Sequence, residues 1–241
     1  KQIIKRGSFF TLMFMLLGCL SLYAADNDLI TKQITIKLEK AGTLPDRIAS
    51  SRKYKITNLK IIGEINGTDL RMIREMAGRD ARGYPTDGKL SVLDLSEAKI
   101  VEGGGYYYDG NYNDYYTSND VIGSYAFQGC SGLTSLNLPA GITSIGERAF
   151  WYCSGLASVY VYAEKVPKIG EDVFKYCDAK KCILYVPKGT YDDYWLSDFG
   201  YFENIVEFDA TGIDKTTTST DVEEVSRYSV NGQRLVGPTK G

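Results

Sequence analysis

One block of this chain is written nearly twice. Val121 to Pro139, VIGSYAFQGCSGLTSLNLP, returns as Ser144 to Tyr162, SIGERAFWYCSGLASVYVY. Phe127, Phe150 and Phe174 stand 23 and 24 residues apart. So do Cys130, Cys153 and Cys177, and so do the Ile-Gly pairs that begin at Ile122, Ile145 and Ile169. A fixed period of this length constrains the fold more than composition can, because no unit so short buries an apolar face alone and each must stack on the next.

Inside the period lies an L-x-x-L-x-L core. It can be followed through Ile56/Leu59/Ile61, Leu90/Leu93/Leu95, Leu133/Leu136/Leu138, Leu156/Val159/Val161 and Lys181/Leu184/Val186. The first positions are 34, 43, 23 and 25 residues apart, so the early units carry insertions, expected on one rim or on the convex side. The expected fold is α+β and rich in strand, a short leucine-rich solenoid of about five rungs with a parallel sheet on its concave face and a cap at each end.

Strand alternation divides these residues between two faces. If Leu133, Leu136 and Leu138 point inward, Ser135 and Asn137 point out. The same offset gives two outward columns: Asn58, Val92, Ser135, Ser158, Ile183, and Lys60, Asp94, Asn137, Tyr160, Tyr185. The second column ends in two tyrosines on adjacent rungs, the kind of aromatic pair that anchors an interface when desolvated. It is the candidate binding surface, with Tyr160 and Tyr185 as its anchor.

Between the second and third units runs Gly103-Gly-Gly-Tyr-Tyr-Tyr-Asp-Gly-Asn-Tyr-Asn-Asp-Tyr-Tyr116. So many glycines argue against an ordinary strand, and two readings stand side by side. One is a flexible insertion lying partly on the flank of the array. The other is an adhesive loop in which Tyr106, Tyr107, Tyr108, Tyr112, Tyr115 and Tyr116 offer contact area at low entropy cost. The alternating oxygens of Asp109, Asn111 and Asn113 hint at calcium, but no bidentate Glu follows downstream. No metal or cofactor is expected.

Composition narrows the function. The 28 basic and 30 acidic residues leave a formal charge of -2, without the basic excess of a nucleic-acid footprint. There is no histidine, which removes the usual general base and any Ser-His or Cys-His dyad. A non-enzymatic protein is the expectation. Cys130, Cys153 and Cys177, in register with Phe127, Phe150 and Phe174, are expected to form an inward ladder of small buried hydrophobes. A Cys177–Cys182 disulfide is the alternative, because export would permit one.

The two ends read differently from the middle. Lys1, Lys5 and Arg6 followed by the apolar Phe9 to Leu22 form an export signal, too short for a membrane span. Cleavage near Ala24 or Ala25 is expected, and lipidation at Cys19, within Leu-Leu-Gly-Cys, is the alternative. Ile34 to Leu38 alternates like a half-buried strand, and Thr68-Asp69 with Leu70, Ile73, Met76 and Gly78 marks a short helix. Tyr191 to Asp198 suggests a helical turn, and Asn204 to Phe208 a closing strand. After Ile213 the chain turns polar, and Arg227 to Leu235 carries an Asn-Gly hairpin signal.

The motif IG-x-x-AF-x-x-C-x-x-L-x-x-L-x-LP, at Ile122 to Pro139 and again from Ile145, resembles the BspA-like leucine-rich repeat family, exported surface proteins of anaerobic Gram-negative gut and oral bacteria. Gly67 to Gly78, Leu93 to Gly103 and Tyr185 to Gly189 resemble further segments of such proteins. The resemblance implies adhesion or protein binding at the cell surface, in the outer membrane or outside the cell. The partner would be a host or bacterial surface protein, or alternatively a glycan taken up as nutrient. Nucleic acid and a membrane span in the mature chain are not expected. The organisation expected is a signal peptide over 1–25, a cap and first rung over 26–89, and a repeat domain over 90–213 with its insertion at 103–118. A linker over 214–224 and the start of a hairpin module over 225–241 follow. That module resembles C-terminal modules of exported proteins and stops short of their further strands.

Overall fold

The computed structural model describes residues 29–110 and 113–210, together with the strand residues Ser226–Tyr228 and Arg234–Leu235. The expected export segment with Cys19, the expected linker and Asn-Gly turn, and Tyr112 lie outside the described residues.

The strands in chain order are β1 (Ile34–Leu38), β2 (Asn58–Ile65), β3 (Val92–Asp94), β4 (Ala98–Ile100), β5 (Gly103–Asp109), β6 (Asp114–Thr117) and β7 (Val121–Ile122). They continue as β8 (Ser135–Asn137), β9 (Ser144–Ile145), β10 (Ser158–Tyr160), β11 (Lys168–Ile169), β12 (Ile183–Pro187), β13 (Asn204–Phe208), β14 (Ser226–Tyr228) and β15 (Arg234–Leu235). Helices are few: α1 (Leu44–Arg47), α2 (Ser50–Lys53), α3 (Gly67–Met76) and α4 (Tyr191–Trp195).

The large sheet runs β1-β2-β3-β8-β10-β12-β13 with every neighbour parallel, then adds β14 and β15 antiparallel. β2 is long enough to pair with β3 through its first half and with β4 through its second. Leu59, Leu93, Leu136, Val159 and Leu184 occupy one register row and are fully buried. Each such side chain contributes about 2 kcal/mol by leaving water.

Each repeat unit makes a second, smaller contribution. The isoleucine of its Ile-Gly pair and the residue before it form a two-residue strand, and β7, β9 and β11 pair in parallel in chain order. The turn that follows binds the next unit through alternate amides. Tyr125, Phe127 and Gly129 donate to the carbonyls of Glu147, Ala149 and Trp151. One unit on, Arg148, Phe150 and Tyr152 donate to Glu171, Val173 and Lys175. Behind these bonds the phenyl rings stack: Phe127 on Phe150 and Phe150 on Phe174, each at 5.4 Å and within 4° of parallel.

The turn makes an unusual backbone demand. Gly129, Tyr152 and Tyr176 are equivalent positions, and all are left-handed, with φ of 74°, 58° and 68°. Glycine meets that demand freely, whereas tyrosine is strained there by roughly 1 kcal/mol. The two tyrosine rings lie face to face at 4.2 Å and remain 44% and 49% exposed.

Cys130, Cys153, Cys177 and Cys182 are all buried free thiols, so the Cys177–Cys182 staple is not formed. The reason is the inward ladder. Cys153 Sγ donates to the Phe127 carbonyl at 3.1 Å and Cys177 Sγ to that of Phe150 at 3.5 Å. Burial pushes the Cys130 thiol up to about 11 and those of Cys177 and Cys182 to about 12. Two results are expected. Alkylating agents label these thiols only after unfolding. Stability also falls as pH rises from about 9 towards 11, because the unfolded chain loses thiol protons that native Cys130 still holds. Fast labelling of the native protein, or a urea midpoint that does not move across that window, would contradict this assignment.

The glycine and tyrosine run is not the irregular insertion expected. β5 and β6 form an antiparallel hairpin in which Tyr108 faces Tyr115. Tyrosine favours strands, and here that preference outweighs the glycines, two of which serve the bend at the entry. Gly103 and Gly104 take φ of 120° and 71°, and a Cβ on Gly104 would fall 2.4 Å from Asn66 Oδ1.

The N-terminal segment is organised by Asp69, which is fully buried on α3. Its carboxylate accepts from the amides of Gly42 at 2.5 Å, Leu44 at 2.9 Å and Asn66 at 2.9 Å. Asn66 in turn caps α3 by accepting from Thr68 N at 3.0 Å, which completes a reciprocal cap. Arg74, also fully buried, reaches from α3 to the first repeat turn, and its Nη1 donates to the carbonyls of Tyr125 and Ala126, each at 2.7 Å.

Candidate binding surface

Registry along the large sheet places Lys60 beside Asp94, Asp94 beside Asn137, Asn137 beside Tyr160, Tyr160 beside Tyr185 and Tyr185 beside Val206. The other outward column is Asn58, Val92, Ser135, Ser158, Ile183 and Asn204. Both columns have the order expected from alternation, each extended by one residue on β13.

The Lys60–Tyr185 column is charged at one end and aromatic at the other. Lys60 Nζ lies 2.5 Å from Glu97 Oε1 and 3.6 Å from Asp94 Oδ2. Burial works against its charge, but the two carboxylates outweigh it and raise the ammonium's pKa. Asp94 is further held by Ser96, whose N and Oγ both donate to Oδ1, at 2.9 and 2.6 Å. Asn137 Nδ2 donates to Tyr162 Oη at 3.4 Å.

At the aromatic end Tyr160 and Tyr185 stack at 4.2 Å and 4°. Phe208 meets Tyr160 and Tyr162 edge-on, at 5.9 and 5.2 Å. Burial raises the Tyr160 hydroxyl's pKa, with Tyr185 adding to the effect, and burial pushes that of Tyr162 up to about 12. Both anchor tyrosines are therefore half-buried side chains held in one geometry. Tyr162, Phe208 and Glu97 belong to this cluster and were not among the expected residues. Tyr162 could have been noticed, since it stands where the preceding copy has Pro139.

The hairpin tyrosines sit elsewhere. Tyr107 is 1% exposed and donates its hydroxyl to the Ser124 carbonyl at 2.9 Å, so it is a core residue and offers no contact surface. Tyr108, Tyr115 and Tyr125 cluster within 5.1 to 5.8 Å of one another. Among the described hairpin tyrosines Tyr116 alone is exposed; it packs edge to face at 6.5 Å on the half-buried Tyr106, which also lies under the Arg71 guanidinium. Among the described residues no hydrogen bond, ion pair or ring contact joins the hairpin to the Lys60–Tyr185 column.

A family model for the BspA type leucine rich repeat region matches residues 111–226 in 6 copies. Residues 111–226 are a BspA-type leucine-rich repeat region. No curated protein matches the chain. The BspA-type region contributes Asn137, Tyr160 and Tyr185 to the column, while Lys60 and Asp94 come from the parallel strands that precede it. No described helix is long and apolar enough to cross a membrane, and no group of three or more His, Cys, Asp or Glu among the described residues could hold a metal ion.

Proposed function

We propose that this chain is a non-enzymatic solenoid protein of the bacterial surface, closed by caps at both ends, that holds another macromolecule along its concave face. The observation that carries this reading is the single register row from Lys60 to Tyr185, in which salt-bridged charges lead to a stacked tyrosine pair. Rings already fixed by their neighbours lose little entropy on binding, which suits them as anchors. The BspA-type repeat supports export and a surface location.

With a partner captured from host matrix proteins, the variant Tyr160→Ala with Tyr185→Ala is expected to bind about tenfold to a hundredfold more weakly. Deleting the hairpin would be a poor comparison, since it removes Tyr107 from the core. Tyr106→Ser with Tyr116→Ser tests that loop while leaving the fold intact. Unchanged affinity in both folded double variants would move the site off this face.

A glycan is the second reading, favoured by the exposed Tyr152–Tyr176 pair and by Trp151, which lies 4.3 Å from Tyr152. Aromatic faces of this kind suit the C–H face of a sugar. Binding on a glycan array with no binding to matrix proteins would overturn the first reading in favour of this one.

A further inference from the structure

The turn-to-turn ladder has two ends, and they are finished differently. At its start, the carbonyls equivalent to those of Glu147 and Ala149 belong to Ser124 and Ala126. Both are closed by side chains from outside the repeats, Ser124 by Tyr107 Oη and Ala126 by Arg74 Nη1. At its far end, the amides equivalent to the donors in the first two units are those of Asp172, Phe174 and Tyr176. Among the described residues none of these three has a hydrogen-bond acceptor. The place where a further turn would lie is a cavity of about 500 Å³, lined by Ile169 to Lys175 and faced by Asp198 and Tyr201.

We infer that this open edge receives a peptide segment of a partner protein, which supplies carbonyls at alternate residues to the amides of Asp172, Phe174 and Tyr176. Residues Glu171 to Lys175 already present such carbonyls to the unit before them from a turn in which Asp172 has φ of 56°, so the segment takes up the same turned backbone on binding. As in strand addition to a sheet, a segment added at an open backbone edge draws its affinity from such main-chain bonds and its selectivity from neighbouring side chains.

Those side chains set the charge of the occupant. Asp172 is already paired with Lys175 at 3.1 Å and with Arg148 at 3.7 Å. Glu171 and Asp198 carry no ion pair among the described residues and leave the cavity acidic, so the segment carries lysine or arginine. A second copy of the chain does not fit by stacking its own first turn here, because Arg74 and Tyr107 already cover the Ser124 and Ala126 carbonyls it would need. The proposal does not depend on the concave column.

The test is amide hydrogen exchange by NMR on the full chain, alone and with a short acetylated and amidated peptide of alternating lysine and valine. In the free protein the amides of Asp172, Phe174 and Tyr176 should exchange fast while those of Arg148, Phe150 and Tyr152 are protected. Saturating peptide should slow the first three by at least about tenfold. Glu171→Lys with Asp198→Lys should weaken that peptide about tenfold and favour its glutamate counterpart. The Tyr160→Ala with Tyr185→Ala variant should bind it as the wild type does. Protection of the three amides already present in the free chain would mean that its own residues cover the edge. Protection that grows with protein concentration would make a second copy the occupant. Peptide binding that leaves these amides unchanged would place the site elsewhere. Each of these three results overturns the proposal.

Discussion

Arg74→Ala is expected to destabilise the protein by about 3 kcal/mol or more, read as a drop in the urea midpoint with an unchanged slope. The guanidinium is fully buried, and among the described residues it has no carboxylate partner. Its Nη1 donates to Tyr125 and Ala126, its Nη2 donates to the Asp80 carbonyl at 3.2 Å, and it lies 5.0 Å from the Tyr108 ring. Burial works against the charge and lowers the group's pKa. Among the described residues the Ala126 carbonyl has no other donor, whereas those of Tyr125 and Asp80 also accept from the amides of Gln128 and Gly83, so Ala126 is the oxygen that depends on the arginine alone. Arg74→Met keeps most of the volume and removes the donors, so a variant as stable as the wild type would show that the hydrogen bonds contribute little. Arg74→Lys should rescue poorly, because an ammonium lacks the planar fork that spans two carbonyls and the Asp80 oxygen.

Phe150→Ala is expected to cost about 3 to 5 kcal/mol, the range for emptying an aromatic site in a packed core. Phe150 has a parallel ring on either side and is fully buried, so neither neighbour can collapse into the space without breaking the turn-to-turn bonds at Ala149 and Val173. Phe174 also touches Phe199 and Phe202, at 5.9 and 4.8 Å, and these rings can shift to fill part of a void. Phe174→Ala should therefore be the milder change. Equal losses for the two variants would argue that the stack does not behave as a row with a middle and an end.

The periodic part of this fold could be read in advance because its signals are local and repeated. Alternation about Leu136 and Val159 was enough to order both outward columns. The second sheet was half visible: the Ile-Gly pairs stood out as a repeat, but two-residue strands are too short to carry a period-2 pattern. β4 was missed for a similar reason, since it pairs with the far half of β2, which the core motif does not cover. The hairpin was misjudged because glycine count was weighed over the strand preference of tyrosine. Asp69 and Arg74 could not be recognised as buried at all. On a short helix such residues read as a solvated face, and only the tertiary arrangement brings backbone amides to one and backbone carbonyls to the other.

Equivalent positions in the middle of the chain are interchangeable in a literal sense. Ser135 pairs with Ser158, Ile122 with Ile145 and Phe127 with Phe150, each pair 23 residues apart. Excising or duplicating one such interval joins ends that already occupy matching sites, so neither sheet nor ring stack is left with a mismatch. Array length in this architecture therefore changes in whole steps, and recombination between near-identical copies is a ready source of them. A lineage can lengthen the face it presents by copying a unit, and then refine it one outward residue at a time.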